Sequence, residues 1–151
     1  MFLIRHQDKE RDLKLMHKMS ITKDMIPAMQ SVVPSTMATV SADGVPNVTY
    51  VSQVFYVDDG HVAISVQYMN KSWKNLSENP NITIILTHPA TAKMWKMKLV
   101  FKEIKYDGPV FDNMDMQLTA IASMCGMEER FKLKAILICE VSDIKVLFDG
   151  N

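Results

Sequence analysis

From residue 94 to residue 106 the chain alternates with little interruption. Trp95, Met97, Leu99 and Phe101 fall on one parity, and Lys96, Lys98 and Lys102 on the other. Successive side chains of a strand point to opposite faces, so this pattern dictates a strand with one face in a core and one in water. Half-buried strands of this kind belong to antiparallel sheets; parallel strands are covered on both faces and read as unbroken apolar runs. The three lysines are read as the solvated face.

The rest of the chain is punctuated to match. Ala42-Asp43-Gly44-Val45-Pro46-Asn47 and Asp58-Asp59-Gly60 carry turn chemistry, and Asn79-Pro80 and His88-Pro89 bound a further apolar run. Strands are expected over 36–41, 47–57, 61–67, 82–87, 94–106 and 133–147. Phe111, Met114, Leu118, Ile121 and Ala122 recur at helical spacing and predict a helix over 110–124, with Gly126 as its C-cap. A helix over 6–19 and a short one capped by Thr22 and ended by Val33-Pro34 complete the reading. The length of 151 residues suits a single core. The expectation is a single mainly β (α+β) domain, 1–151, with an N-terminal helical segment, 1–32. Its six antiparallel strands are expected to close into a barrel that hides their edges, with a few peripheral helices.

Composition narrows function by exclusion. A formal net charge of zero removes the electrostatic footprint of a nucleic-acid binder. No apolar stretch approaches the roughly 20 residues of a membrane span. Cys125 and Cys139 form no CxxC, and His6, His17, His61 and His88 form no HxxxH, so no metal site is expected. Two reduced thiols, and a charge as early as Arg5, point to a cytoplasmic chain. No close carboxylate pair, Ser-His-Asp set or activated cysteine context stands out. The thirteen methionines are first of all core filling. Met94, Met97, Met114, Met116, Met124 and Met127 are candidates to line a site or an interface.

The stretch Tyr68-Met69-Asn70-Lys71-Ser72-Trp73-Lys74-Asn75-Leu76-Ser77-Glu78-Asn79-Pro80 carries the clearest chemical signal. It follows the strand 61–67 and reads as a short helix, with Asn70 as N-cap and Asn79-Pro80 as its stop. Lys71 and Lys74 then sit in the first turn, where the partial positive charge of the helix disfavours cations. A bound phosphate reverses that preference. The competing reading is two solvated lysines.

Taken in order, the Asp-Gly-x-Pro turn, long strand, second turn, strand, lysine-bearing helix start, Asn-Pro and apolar strand resemble the flavin-binding split-barrel family, often called pyridoxamine 5′-phosphate oxidase-like. The resemblance runs from about residue 33 to about residue 146. It implies a split barrel, an FMN cofactor, a homodimer with the cofactor at the interface, and a flavin-dependent oxidoreductase. By motif position it implies that Thr49, Tyr50, Val51, Ser52 and Gln53 run along the flavin ring and ribityl chain. Ser65 and Val66 would stand near the phosphate end, and Lys71 and Ser72 would hold the phosphate. Met94 and Trp95 match the region from which a second copy completes the site. FAD or a deazaflavin would use the same groove. The enzyme that names the family usually has an arginine where this chain has Thr49 and a lysine where it has Ser72. Its C-terminal arginine and histidine have no counterpart here, so vitamin B6 oxidation is not implied. Two other functions stay open. One is a non-catalytic flavin-binding or sensing protein; the other is a haem-binding relative, with His61 and His88 as candidate axial ligands.

Overall fold

The computed structural model of the chain describes residues 9–11, 20–29 and 31–150. The strands are β1 (Ser35–Val40), β2 (Pro46–Val51), β3 (Val54–Asp58), β4 (His61–Val66), β5 (Asn81–Thr87), β6 (Met94–Lys105) and β7 (Ala135–Phe148). The helices are α1 (Ile26–Met29), entered through a 3₁₀ turn at Lys23–Met25, α2 (Lys71–Glu78) and α3 (Pro109–Cys125). Of the helix expected over 6–19, residues 9–11 are helical and the remainder lies outside the described residues.

All strands join one antiparallel sheet in the order β2-β1-β5-β6-β7-β4-β3. There are seven strands, not the expected six, because the run 47–57 breaks at Ser52-Gln53. Gln53 turns its backbone to the neighbouring strand. Its N–H donates to Ser65 Oγ at 3.2 Å, and its carbonyl accepts the Ser65 N–H at 3.2 Å. Nor is the barrel closed. β2 and β3 are the two ends of the sheet, and among the described residues no ladder joins β2 to β3 or β4. Only the short link through Ser52 and Gln53 brings the two edges together, so the sheet curls and stays split.

The alternation of β6 holds in space. Trp95, Met97 and Leu99 are buried, whereas Lys98 and Lys102 are exposed. The core inside the curl adds Met37 of β1, Ile82, Ile84 and Leu86 of β5, Val62 and Ile64 of β4, and Leu137 and Cys139 of β7. β4 is buried on both faces, because α3 covers the outer one. Met114 packs there against Ala63 and Ile136. Met114, Leu118 and Ala122, four apart, form the buried stripe of α3. Pro109 opens that helix, and Gly126, at φ +65°, closes it in the left-handed conformation that glycine adopts without penalty. Trp95, expected near a partner copy, is instead a core residue with 2% exposure. The Lys93 ammonium lies 5.2 Å from its ring centre and also pairs with Asp24 at 3.0 Å and Asp149 at 3.5 Å. None of the described helices is long and apolar enough to cross a membrane.

Candidate functional site

α2 is laid across the β1–β2 hairpin by polar bonds rather than by bulk. Asn75 Nδ2 donates to Thr39 Oγ1 at 3.1 Å, and Asn47 Nδ2 donates to Ser72 Oγ at 2.9 Å. At the far end of the helix the Ala42 N–H donates to Glu78 Oε2 at 3.1 Å. Ser72 and Asn75 are buried, so these bonds satisfy polar groups that could not otherwise be enclosed. Trp73 adds an edge-to-face contact with Phe101, ring centres 5.9 Å apart. The start of α2 is thereby fixed beside β2.

Asn70 stands at the N-cap position, but it does not cap. Its φ of −106° and ψ of −72° are helical, and its side chain makes no capping bond. A capping side chain needs the extended conformation to reach back to the first turn. The correction sharpens the chemistry. The first backbone N–H groups of α2 lack intrahelical partners by construction, and among the described residues no side-chain cap bond replaces them. Lys71 and Lys74 are exposed in that turn, with no carboxylate within 4.0 Å among the described residues.

A cleft of about 160 Å³ opens next to this helix start. Thr49, Tyr50, Val51 and Ser52 line it from β2, Ser65 from the end of β4, and Gln67, Tyr68 and Met69 from the segment that leads into α2; Phe131 completes it. Gln67 Nε2 donates to Ser52 Oγ at 2.8 Å and so ties the two strands' ends together. Of the sequence-derived candidates, Thr49, Tyr50, Val51, Ser52 and Ser65 thus come together at the cleft. Val66, Lys71, Ser72 and Gln53 do not line it. Val66 leans on the core, Ser72 is buried against Asn47, and Gln53 sits behind the lining. Gln67, Tyr68 and Met69 escaped the sequence reading although they adjoin the expected strand. Phe131 gave no signal at all. Met97 and Met114 are core residues, and none of the six methionines singled out by composition lines the cleft.

FMN is the group the sequence resemblance implies, and three features bear on its fit. β2 is a sheet edge, with a row of backbone N–H and C=O groups free to bond a ligand. Gln53 Oε1 is buried without a partner one residue past the lining, an acceptor with no donor. The α2 start offers unpaired N–H groups and two free ammonium groups, the set an anion requires. The residues present fit the group. His61 and His88 do not line the cleft. His61 Nδ1 lies 2.9 Å from Asp58 Oδ1, and His88 Nδ1 accepts the N–H groups of Ala90 and Thr91 at 3.1 and 3.3 Å. Among the described residues no group of three or more His, Cys, Asp or Glu could hold a metal ion.

Several known proteins resemble this chain. An uncharacterized protein of Methanocaldococcus jannaschii is 32% identical over 81 residues, 48% of this chain and 54% of that protein. The chain thus spans about half the length of the curated relative it matches. Among solved structures, an FMN-binding protein from Syntrophomonas wolfei aligns over 96% of this chain and 94% of its own, with a TM-score of 0.69 and 15% identity. An F420 reductase aligns over 83% and 98%, at 0.58 and 11%. HutZ, a haem storage protein of Vibrio cholerae, aligns over 79% and 89%, at 0.53 and 18%. At these identities the likeness is one of fold. The decisive match is to the family model described as pyridoxamine 5′-phosphate oxidase, which spans residues 22–119. That stretch takes in β1 to β6, the start of α2 and every residue of the cleft except Phe131, and by it the chain belongs to the pyridoxamine 5′-phosphate oxidase family.

Proposed function

We propose that the chain binds FMN, with the phosphate at the start of α2 and the flavin ring along the open edge of β2, and that it acts as a flavin-dependent oxidoreductase. One observation carries this reading: an uncapped helix start bearing two lysines without an ion pair among the described residues stands beside a cleft on an edge strand. The pyrimidine edge of a flavin alternates carbonyl acceptors with an N–H donor, and a strand edge alternates the complementary groups. When bound, the flavin supplies hydride and electron transfer. The chain's residues bind and orient it. Lys71 and the first-turn N–H groups of α2 hold the phosphate; Ser72, fixed by Asn47, holds the helix start in place.

A homodimer is part of the proposal. The cleft, at about 160 Å³, falls below the roughly 300–1,000 Å³ of pockets that enclose a small ligand. A second copy over the outer face of β2, where Val48 and Tyr50 are exposed, would complete the enclosure. Sedimentation of a flavin-loaded monomer at micromolar concentration would contradict this part alone.

Titration with FMN and with riboflavin, which lacks the phosphate, tests the assignment. Loss of one charge-assisted bond is worth about 1.5–3 kcal/mol, so Lys71→Ala should weaken FMN roughly ten- to hundredfold. Riboflavin should bind unchanged, and equal losses for both ligands would sink the reading. The likeness to HutZ keeps haem as a second reading, and the visible spectrum of the purified protein separates the two cofactors. Anaerobic bleaching of the flavin by NADH or NADPH separates an enzyme from a flavin carrier.

A further inference from the structure

Four of the five glycines of the chain follow an aspartate: Asp43-Gly44, Asp59-Gly60, Asp107-Gly108 and Asp149-Gly150. An Asp-Gly bond carries a reaction of its own. The glycine nitrogen attacks the aspartyl side-chain carboxyl carbon. A C–N bond forms, a C–O bond breaks, and the oxygen leaves as water with the amide proton. Glycine permits this because its backbone turns freely and no Cβ stands beside the attacking nitrogen. Solvent water then opens the imide ring. Entry at the side-chain carbonyl restores aspartate; entry at the main-chain carbonyl leaves isoaspartate, with an extra methylene in the backbone. Nothing is oxidised or reduced.

The dipeptides are alike in sequence and unlike in the fold. To react, the carboxyl group must swing onto the glycine nitrogen, so both groups must be free to move. In the β1–β2 turn the Gly44 N–H donates to the carbonyl of Ser41 at 3.0 Å. In Asp59-Gly60 both groups are held. The Gly60 N–H donates to Asp58 Oδ1 at 2.8 Å, and Asp59 Oδ1 accepts the Tyr56 hydroxyl at 2.8 Å. The Asp149 carboxylate lies 3.5 Å from the Lys93 ammonium, and Gly150 is packed on the carbonyl of Thr91, where a Cβ would approach to 2.7 Å. At Asp107-Gly108 neither the carboxylate nor the glycine N–H has a hydrogen bond or ion pair among the described residues. Space is not limiting there either. Asp107 is exposed, a cavity of about 420 Å³ opens along residues 104–110, and even a Cβ on Gly108 would meet nothing within 4 Å.

We propose that Asp107-Gly108 is a modification site: of the four dipeptides, the one at which the folded chain converts aspartate to isoaspartate. It is thereby the point at which a carboxyl methyltransferase selective for isoaspartate would act on the native protein. Asp107 stands between β6 and α3. The added methylene enters directly before the helix whose Met114 carbonyl accepts the Gln53 side chain at the corner of the cleft.

Ageing of the full-length protein in warm, mildly acidic buffer tests this. Chromatographic peptide mapping with mass spectrometry reads isoaspartate at each site, and labelling by an isoaspartyl methyltransferase reads the total. A competing site must first give up a bond, which slows it by roughly two- to tenfold for a hydrogen bond and by less for the exposed ion pair of Asp149. Asp107 should therefore lead Asp43 and Asp59 by about that factor or more, and Asp149 by a smaller one. In urea those bonds are gone, and the four sites should react at comparable rates. Asp107→Glu keeps the charge but needs a larger, slower-closing ring. It should remove most of the methyl-accepting signal from the native protein and leave the other three sites of the unfolded chain reactive. Isoaspartate appearing first at Asp43, Asp59 or Asp149 of the native protein overturns the proposal. So does a lead of Asp107 that persists undiminished in urea, or a native Asp107 that stays unmodified over the time in which the unfolded chain converts it.

Discussion

Gln53→Leu tests whether the corner between β2 and β3 is built at a cost to stability. Gln53 is buried, and its side chain makes one bond, from Nε2 to the carbonyl of Met114 at 3.0 Å. Its Oε1 has no partner. A net hydrogen bond contributes about 0.5–1.5 kcal/mol, and an orphaned buried oxygen costs about 1–3 kcal/mol. The Met114 carbonyl lies inside α3 and keeps its helical N–H partner four residues on. Leucine forfeits the bond and relieves the orphan, for a net gain of about 1 kcal/mol, or roughly 2–4 °C in melting temperature for a chain of this size. Gln53→Glu runs the other way. Burial raises the carboxyl pKa of the folded state above that of the unfolded chain, so the penalty is full above the folded pKa and fades as pH falls through it. Urea unfolding of the cofactor-free protein at pH 7, with m-values compared, reads each difference. A loss of more than about 2 kcal/mol for Gln53→Leu would refute the reasoning, because Oε1 would then have to be satisfied by buried water.

Three further outcomes follow from side chains elsewhere in the fold. Cys125 is exposed, whereas burial pushes the Cys139 thiol up to about 12, so a thiol reagent should titrate Cys125 in the native protein and Cys139 only on unfolding. The Thr22 hydroxyl first, and Lys93 second, hold the Asp24 carboxyl below its usual range. This support is present above the unfolded pKa of about 4 and lost as pH falls through the lower folded value, so Lys93→Met should flatten the acid end of the melting-temperature profile. Asn47→Ala removes the bond to buried Ser72 and should cost about 1 kcal/mol in urea unfolding, with FMN affinity reduced as the α2 start loosens.

The strands were legible because water and core write a period of two, and the α3 helix because its buried residues recur four apart. The seventh strand was not. Residues 47–57 read as one run because β-branched and aromatic residues dominate it and no Gly or Pro interrupts it, and the break at Gln53 is set by its bonds to Ser65, a partner brought by tertiary contact. The fixing of α2 was hidden for the same reason: Asn47–Ser72 and Thr39–Asn75 join residues 25 and 36 positions apart. Asn70 had the right identity for a cap but not the backbone angles, which local sequence does not set. Half of the cleft was readable as consecutive strand residues. Phe131 was not, since the loop that carries it has no pattern of its own and is positioned by Tyr68 and Val66.

The strand order bears on how the molecule is made. β4 finds its sheet neighbours in β3 and β7, so the β3–β4 hairpin joins the other strands only through the last strand. His61 pairs with Glu140 and Val66 with Ala135, partners separated by most of the remaining chain. On the ribosome, β1, β2, β5 and β6 can pair as they emerge, while β3 and β4 wait as a two-stranded ribbon, marginal in water by itself. The cleft residues Thr49 to Met69 are synthesised in the first half of the chain, and until β7 arrives only the bonds of Ser52 and Gln53 to Gln67 and Ser65, among the described residues, hold β4 beside β2. A chain stalled before residue 135 therefore carries every strand of the cleft but lacks the strand that joins β4 to the rest of the sheet. Closing that long loop is the slow step expected of so non-local a pairing.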